Sequence, residues 1–247
     1  MTQQPPLTAE ILARIRTLDT CTVSNAIEQF NIRLRNEGFA HGAIRCQFPQ
    51  FPPVLGYAAT ARVRSSTPPM TGGCYYDRID WWEYVLTIPE PRILVLQDVD
   101  QTPGFGAFVG EVHAHIALAL NCVGCVTDGA VRDLPAVKGT GFQLFARCAA
   151  VSHAYAHIAE FGEPVEIGGL KIAPGDLIHG DRHGVHIVPQ SIAADIPKAA
   201  ADIMHQEREL IELCQSPDFS LQKLSAALEH KLALARNRMK IHYDSSL

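Results

Sequence analysis

The stretch GFGAFVGEVHAHIALALNCVGCVTDGAVRD, residues 104–133, predicts a glycine-rich loop, a helix, a short strand and a charged turn. The helix is expected from about Gly110 to Asn121, and the strand follows it. Glycines free the loop backbone to turn its N–H groups inward, and a helix N-terminus adds partial positive charge. Such a loop suits a small carboxylate or phosphate, although an ordinary flexible connection has the same glycine content.

Charged residues stand near both ends of this predicted unit. Glu111 falls in the first turn of the helix, and Arg132 and Asp133 follow the strand. Taken singly, each has an ordinary role, namely helix-dipole stabilisation for Glu111 and a surface ion pair for the other two. A short β–α–β connection would bring them together, and carboxylates of this kind suit Mg²⁺ or Mn²⁺ better than Zn²⁺.

The rest of the chain predicts a mixed α/β fold rather than a repeat protein. Predicted strands and helices alternate in the first part, and hairpins with glycine-containing turns dominate the later part. The helix predicted over 75–88 has an apolar face formed by Ile79, Trp82, Val85 and Leu86. Strand patterns cover residues 54–65, 92–100, 141–152 and, as several short strands, 164–189.

The C-terminal part, from residue 191 to about 242, has a helical pattern. The pattern is broken at 216–218, after which Ser220 is expected to cap a final helix. We therefore divide the chain into a domain over 1–190 and a helical extension over 191–247, which is expected to dock on the domain or on another subunit. The apolar face of its first helix consists of Ile196, Ala199, Ile203, Leu210 and Leu213.

The composition is that of an ordinary globular protein, with 47% hydrophobic and 19% charged residues among 247. A formal net charge of -5 gives no electrostatic reason to expect binding to nucleic acid or to an anionic membrane. No apolar run reaches the length of a membrane span, and the N-terminal residues lack a secretory pattern. Seven scattered cysteines favour reduced thiols in a cytoplasmic protein over a disulfide framework.

Cysteines and histidines offer weaker candidates for a metal site. Cys122 and Cys125 form a C-x-x-C motif without a second pair, so we interpret them as small buried hydrophobic residues. His113 and His115 stand two apart on the predicted helix and point in different directions. The histidines of the hairpin region are interpreted as strand or turn residues rather than ligands; they are His179, His183 and His186.

Several ordered segments together resemble one family. Gly110-Glu111 is followed after 20 residues by Arg132-Asp133, which resembles the signature of class II pyruvate aldolases in the RraA-like family. These aldolases act on 4-hydroxy-4-methyl-2-oxoglutarate and 4-carboxy-4-hydroxy-2-oxoadipate. The resemblance covers about residues 10–190, and its further segments are GCVTDGAVRD (124–133), GFQLFA (141–146), PVEIGGLKIAPGDLIHGD (164–181) and GVHIVP (184–189).

The resemblance implies an α-β-β-α sandwich-like domain that forms a homotrimer or homohexamer with sites between subunits. It also implies a lyase that uses Mg²⁺ or Mn²⁺ to release pyruvate from a 4-hydroxy-2-oxo dicarboxylic acid, with oxaloacetate decarboxylation as a related activity. Asp133 would bind the metal directly, and Glu111 would hold water on the metal and assist proton transfer. Arg132 would bind the substrate carboxylate or the enolate oxygen. The pyruvyl carboxylate would sit on backbone amides near Phe108, Val109 and Gly110.

Two departures from the aldolase pattern bear on the substrate. Glu111 stands where the aldolases usually have Asp, and Ala136 where they have an acidic residue. The extra methylene of Glu111 moves a carboxylate by about 1 Å, enough to alter rate or substrate fit. Two other functions stay open: a non-catalytic RraA-like regulator that binds a ribonuclease, and a metal-dependent tautomerase or hydratase for a related oxo acid. The Arg132-Asp133 pair with an acid at 111 favours the metal enzyme.

Overall fold

The computed structural model describes residues 7–70 and 78–229 and has the predicted mixed α/β class with C-terminal helices. The helices are α1 (Ala9–Arg16), α2 (Thr20–Glu28), α3 (Ile79–Thr87), α4 (Glu111–Ala119), α5 (Leu134–Thr140) and α6 (Ile196–Gln215), and a further helical segment covers 221–229. The strands are β1 (Arg45–Cys46), β2 (Val54–Arg64), β3 (Arg92–Asp98), β4 (Ala107–Val109), β5 (Cys122–Thr127), β6 (Ala130–Val131), β7 (Gln143–Ala146), β8 (Cys148–Ala149), β9 (His157–Phe161), β10 (Val165–Ile167), β11 (Leu170–Ile172), β12 (Leu177–Asp181) and β13 (Gly184–Ile187).

The main sheet has eight strands in the order β1-β7-β5-β3-β2-β12-β13, with β9 also paired to β2. Strands β2, β3, β5 and β7 run parallel to one another. The second edge of β2 is shared, because β12 pairs antiparallel with its first residues, from Val54, and β9 with its last, up to Arg64. One long strand thereby joins the parallel part of the sheet to the later hairpins.

Both faces of the main sheet are covered, because successive residues of a strand point to opposite sides. On β2, Leu55 and Tyr57 belong to a core that includes residues from all six labelled helices. Val54 and Ala58 belong to a second core, which is closed by the hairpin of β10 and β11. Burial on both faces explains why the sequences of β2 and β3 are nearly continuous apolar runs.

A small sheet of three parallel strands, in the order β4-β6-β8, stands beside the main sheet. Each of its strands continues from a strand of the main sheet: β3 leads to β4, β5 to β6 and β7 to β8. We call the three links crossings. They differ greatly in length, since they comprise residues 99–106, residues 128–129 and the single residue Arg147.

Two sequence predictions are corrected by the structure. The strand predicted over 141–152 is two strands, β7 and β8, which lie in different sheets because the chain crosses at Arg147. The face predicted for the helix over 75–88 is wrong at Ile79 and Leu86, which are 64% and 52% exposed.

Helix α3 turns its two tryptophans to the core instead. Trp81 and Trp82 are 0% and 6% exposed, and Val85 completes the buried stripe. Because indole rings bury the most apolar surface of any side chain, the helix is oriented by the pair of them rather than by Ile79. Residues 75–77 of the predicted helix lie outside the described residues.

The helices after residue 190 form where the sequence predicts them. Helix α6 buries Ile196 and Ile203 in the core that also contains α2. The Ser220 Oγ accepts the Lys223 N–H at 3.2 Å, as expected for a capping residue. Residues 230–247, with the rest of the predicted final helix, lie outside the described residues, and the predicted domain boundary stays a prediction. In the described part of the chain, no helix is both long and apolar enough to cross a membrane.

Candidate active site

The predicted site residues lie at one edge of the small sheet. Strand β4 ends at Val109 and is followed by Gly110 and Glu111, and the neighbouring strand β6 ends one residue before Arg132. The Arg132 N–H donates to the Val109 carbonyl at 2.9 Å, which aligns the two strand ends. Because the carboxyl ends of adjacent parallel strands meet at one edge, the structure brings Glu111, Arg132 and Asp133 together.

Asp133 is held from both sides of this edge. Its Oδ2 atom accepts hydrogen bonds from the Glu111 backbone N–H at 3.1 Å and from Arg132 Nε at 3.3 Å. The Glu111 N–H holds the pKa of Asp133 below its ordinary value, and the Arg132 guanidinium adds to this effect against slight burial. The carboxylate is therefore ionised at neutral pH, and 37% of the side chain is exposed to solvent.

The backbone of Asp133 has a left-handed conformation, with φ 53° and ψ 34°, at the N-cap of helix α5. This region is uncommon for residues with a Cβ atom, although Asp is among those that enter it most readily. A strained backbone persists only where the surroundings determine it, and such positions cluster at functional sites. The conformation of Asp133 therefore favours a functional role for this edge.

Gly110 leaves the space that the Asp133 carboxylate fills. A Cβ atom at position 110 would lie 2.5 Å from Asp133 Oδ2 and 3.1 Å from Arg132 Cγ. The φ of Gly110 is −133°, which any residue can adopt. A side chain here would therefore displace the Asp133 carboxylate, whereas the backbone conformation does not oppose it.

Phe108 and Val109 are 3% and 0% exposed, so neither side chain reaches the surface. The Phe108 ring packs against His113 with 5.2 Å between ring centroids, and Trp82 packs against the same imidazole at 5.1 Å. Burial lowers the pKa of His113 to about 3, so this imidazole is neutral. These rings support strand β4 from the core side.

The donor set at this edge suits one kind of metal. In residues 7–70 and 78–229, no group of three or more His, Cys, Asp or Glu side chains is arranged to hold a metal ion. A structural zinc site is formed by four such side chains. Mg²⁺ differs, since it keeps several waters and is bound through one or two carboxylates and the substrate. Asp133, with Glu111 adjoining it, fits such a site.

The other cysteines and histidines have the structural roles expected from the sequence. Cys122 and Cys125 are 1% and 0% exposed, and burial raises the pKa of both thiols, to about 12 for Cys122. His179 and His186 form a buried pair across β12 and β13, with Nδ1 of the first 3.0 Å from Nε2 of the second. His183 lies in the turn between the strands and contacts Asp181.

A cleft of about 270 Å³ lies elsewhere, between helix α2 and strand β13. None of the predicted site residues lines it. Its polar lining side chains are Thr20, Cys21, Ser24, Asn25, His183 and His186.

Three buried carboxylates at or next to the crossings were not predicted as site residues from the sequence. Asp98 ends β3, Asp100 follows two residues later, and Asp128 follows β5; they are 5%, 9% and 8% exposed. Burial raises the pKa of Asp98, and it raises that of Asp128 to about 6. The signal for them was an acidic residue directly after each of two apolar strands. It was obscured because Asp is also common in turns.

Comparison with known proteins extends these observations. The model of the RraA-like family, described as Aldolase/RraA, matches residues 20–187. The chain belongs to the RraA-like family. A relative from Halalkalibacterium halodurans, named "Putative 4-hydroxy-4-methyl-2-oxoglutarate aldolase", is 31% identical over 123 residues. These are 48% of this chain and 59% of the relative, so the match spans less than two thirds of that protein's length.

Solved structures have the same fold. An uncharacterized protein from Pseudomonas syringae pv. tomato is similar with a TM-score of 0.70 and 25% identity, over 93% of this chain and 98% of that one. RraAS2 of Streptomyces coelicolor, described as an unusual member of the RNase ES inhibitor RraA protein family, is similar with a TM-score of 0.64 and 21% identity. That likeness covers 85% of this chain and 98% of RraAS2, and it concerns the fold alone.

Proposed function

We propose that this chain is a divalent-metal-dependent lyase that cleaves a C–C bond of a 4-hydroxy-2-oxo dicarboxylic acid and releases pyruvate. Oxaloacetate decarboxylation is a second reaction of the same site, because it forms the same enolate. The proposal depends on one observation, the ionised Asp133 carboxylate anchored at a strand end between the Glu111 N–H and the Arg132 guanidinium. The relative named as an aldolase gives further support.

The cofactor in this proposal is Mg²⁺ or Mn²⁺, with Asp133 as the direct ligand and Glu111 acting through water. Such an ion supplies Lewis-acid polarisation of the 2-oxo acid. Both hydrogen bonds to the Asp133 carboxylate from the described residues go to Oδ2, which leaves Oδ1 for a cation. Oxygen donors of this kind favour Mg²⁺ or Mn²⁺ over softer metals.

Arg132 is the proposed partner for negative charge on the substrate. Its side chain is 35% exposed, and its described hydrogen bond uses Nε, so the terminal nitrogens can bind a carboxylate or an enolate oxygen. The start of helix α4 adds partial positive charge at the same edge. We assign the seat of the pyruvyl carboxylate to the backbone amides of Phe108, Val109 and Gly110.

The proposed cleavage uses two groups of this chain. Through a water molecule, Glu111 takes the proton of the substrate 4-hydroxyl, the C3–C4 bond breaks, and its electron pair forms the enolate of pyruvate. The former C4 leaves as the carbonyl carbon of the second product. Arg132 stabilises the charge on the enolate oxygen, and the water held by Glu111 returns a proton to C3. Loss of CO₂ from oxaloacetate gives the same enolate and the same final protonation.

A substrate panel tests the proposal. We expect pyruvate release from at least one 4-hydroxy-2-oxo acid or from oxaloacetate with Mg²⁺ or Mn²⁺, and its loss with a chelator. Asp133→Asn should weaken metal binding and lower kcat/KM by about 10²-fold or more. Asp195→Asn is a matched control, since Asp195 is also an exposed helix N-cap whose side chain makes no capping bond. It should retain full activity.

Other outcomes of the same experiments would favour the alternative functions. Pyruvate release from none of the substrates would exclude the lyase. Exchange of the C3 protons of an oxo acid without bond cleavage would favour a tautomerase. Equal binding of a ribonuclease by the wild type and Asp133→Asn, without turnover, would favour a regulator. The homotrimer or homohexamer stays a prediction, in keeping with Phe105 and Val112 near the site, which are 62% and 63% exposed.

A further inference from the structure

We propose that Asp98, Asp100 and Asp128 are positioning residues that fix the crossing 99–106 and, through it, the backbone amides of residues 108–110. We call these three residues the carboxylate network. The catalytic consequence rests on the proposed function, whereas the effect on the backbone can be measured without it.

Asp98 ties the crossing to the end of the main sheet. Its Oδ1 accepts the Asp100 N–H at 3.0 Å, and its Oδ2 accepts the Gly104 N–H at 2.7 Å. Its own N–H donates to Asp128 Oδ1 at 2.7 Å, which links β3 to the residue after β5. The Asp98 carboxylate therefore binds the crossing at two points. The Asp128 carboxylate binds strand β3, from which the crossing starts.

Asp100 extends this hold to the start of β4. Its carboxylate accepts both the N–H and the hydroxyl of Ser65, at 2.7 and 2.9 Å, and those of Ser66, at 2.9 and 2.6 Å. The Ser65 Oγ in turn accepts the Gly106 N–H at 2.9 Å. Hydrogen bonds thus run from Asp100 through Ser65, which directly follows β2, to Gly106, the residue immediately before β4.

The length of this crossing explains the need for such a network. The crossings at 128–129 and at Arg147 are so short that the chain itself places β6 and β8. Residues 99–106 form no helix or strand, so chain connectivity alone leaves β4 free to shift. At Gly106 the fit is close, since a Cβ atom there would lie 2.7 Å from both the His153 carbonyl oxygen and the Ser65 Cβ.

The burial of three carboxylates is energetically costly, which also favours a positioning role for the network. Burying a carboxylate is unfavourable unless hydrogen bonds or charges compensate it. In the part of the chain that the structure describes, none of the three carboxylates forms an ion pair with Lys or Arg. Arg147 comes near but donates its Nε–H to the Asp128 carbonyl, at 2.9 Å. Most of the compensation comes from backbone N–H and serine groups, which are the groups that the network would immobilise.

Hydrogen exchange of the full-length protein tests the positioning directly. Asp98→Asn keeps the shape of the side chain but has one acceptor oxygen, so the N–H of Asp100 or of Gly104 loses its partner. We expect faster exchange of the amides of residues 104–110. Asp181→Asn is the matched control, because Asp181 is equally buried and accepts the Thr20 N–H and hydroxyl. It should accelerate exchange near Thr20 and leave 104–110 unchanged.

Kinetics separate positioning from a loss of folded protein. Displaced carboxylate-binding amides raise KM and lower kcat/KM by about 10²-fold, whereas a smaller folded fraction lowers only the apparent kcat. Ser65→Ala is a milder variant that removes the Oγ bridge between Asp100 and Gly106 and keeps the Ser65 N–H bond to Asp100, and it should act in the same direction. Unchanged exchange over 104–110 in both Asp98→Asn and Ser65→Ala would overturn the inference. If the wild type cleaves no substrate, the proposed function fails, and the exchange comparison still decides whether the network fixes these amides.

Discussion

At the scale of single residues, the candidate site depends on the position of one oxygen atom. Asp133 Oδ2 has a backbone N–H on one side, a guanidinium on another, and the unfilled Cβ position of Gly110 on a third. The family resemblance predicts Asp133, Arg132 and Glu111 as site residues but does not predict this contact. Glycine at position 110 is explained by the carboxylate that occupies its side-chain space.

Gly110→Ala should therefore impair metal binding and catalysis together. The new methyl group would lie 2.5 Å from Asp133 Oδ2, so the carboxylate must rotate and lose the Glu111 N–H. We expect weaker Mg²⁺ affinity by calorimetry and a fall in kcat/KM of about 10²-fold, as for other displacements near 1 Å. The free energy of unfolding should fall by no more than about 1 kcal/mol, which is the typical cost of an N-cap substitution. Unchanged Mg²⁺ affinity would contradict this reading of Gly110.

At the scale of elements, periodicity predicted most helices and strands because it depends on local contacts. The patterns for β2, β3 and α4 agree with the observed elements within about two residues. Periodicity could not show that 141–152 is divided between two sheets, since pairing is decided by distant residues. The same limit applies to the carboxylate network, whose hydrogen bonds join Ser65 to Asp100 and Asp98 to Asp128 across long stretches of chain.

Asp128, in the crossing after β5, should make the stability of the protein depend on pH. Burial, with the nearby charge of Asp98, raises the pKa of Asp128 to about 6, and Arg147 only partly opposes this. Between the ordinary pKa of 3.8 and about 6, the folded state binds a proton that the unfolded chain lacks. Stability attributable to Asp128 therefore falls as pH rises through this window and stays low above it.

Asp128→Asn should remove this dependence and keep an oxygen for the Asp98 N–H. Relative to the wild type, the free energy of unfolding of the variant should rise between pH 4 and pH 7 by up to about 3 kcal/mol, measured by urea denaturation.

Asp100→Asn provides a comparison of opposite sign. Burial raises the pKa of Asp100, but hydrogen bonds from Ser66 and Ser65 outweigh burial and lower it. That variant should lose stability at neutral pH, and a gain there would contradict the assignment.

At the scale of the whole molecule, the main sheet curves until strands that are not neighbours meet. Gly180 on β12 faces Phe145 on β7, although β5, β3 and β2 lie between them in the sheet order. A Cβ atom at Gly180 would lie 2.7 Å from the Phe145 ring and 2.8 Å from Val185. The sequence offered no sign of this curvature, which depends on the twist of all the strands together.

A pair of alanine substitutions tests this close approach. Gly180→Ala should reduce the free energy of unfolding by about 1–3 kcal/mol, because a ring and a β-branched side chain must both move. Gly139→Ala in helix α5 is the control, since no atom beyond its chain neighbours and the local helix backbone lies within 4 Å of the added Cβ. It should increase stability by about 0.5–1 kcal/mol through helix propensity. Equal effects of the two substitutions in urea denaturation would show that the sheet is less curved than described.

The unequal crossings also decide where extra residues can be accommodated. At Arg147 the chain changes sheets through a single residue, so one inserted residue would reverse which side chains of β8 face the interior. Lengthening the crossing 99–106 costs little chain entropy, but it would detach the backbone N–H groups held by Asp98. Insertions near the site are thus opposed by strand alternation at one crossing and by buried hydrogen bonds at another. At this edge of the small sheet, substitutions of side chains are therefore tolerated better than insertions into the crossings.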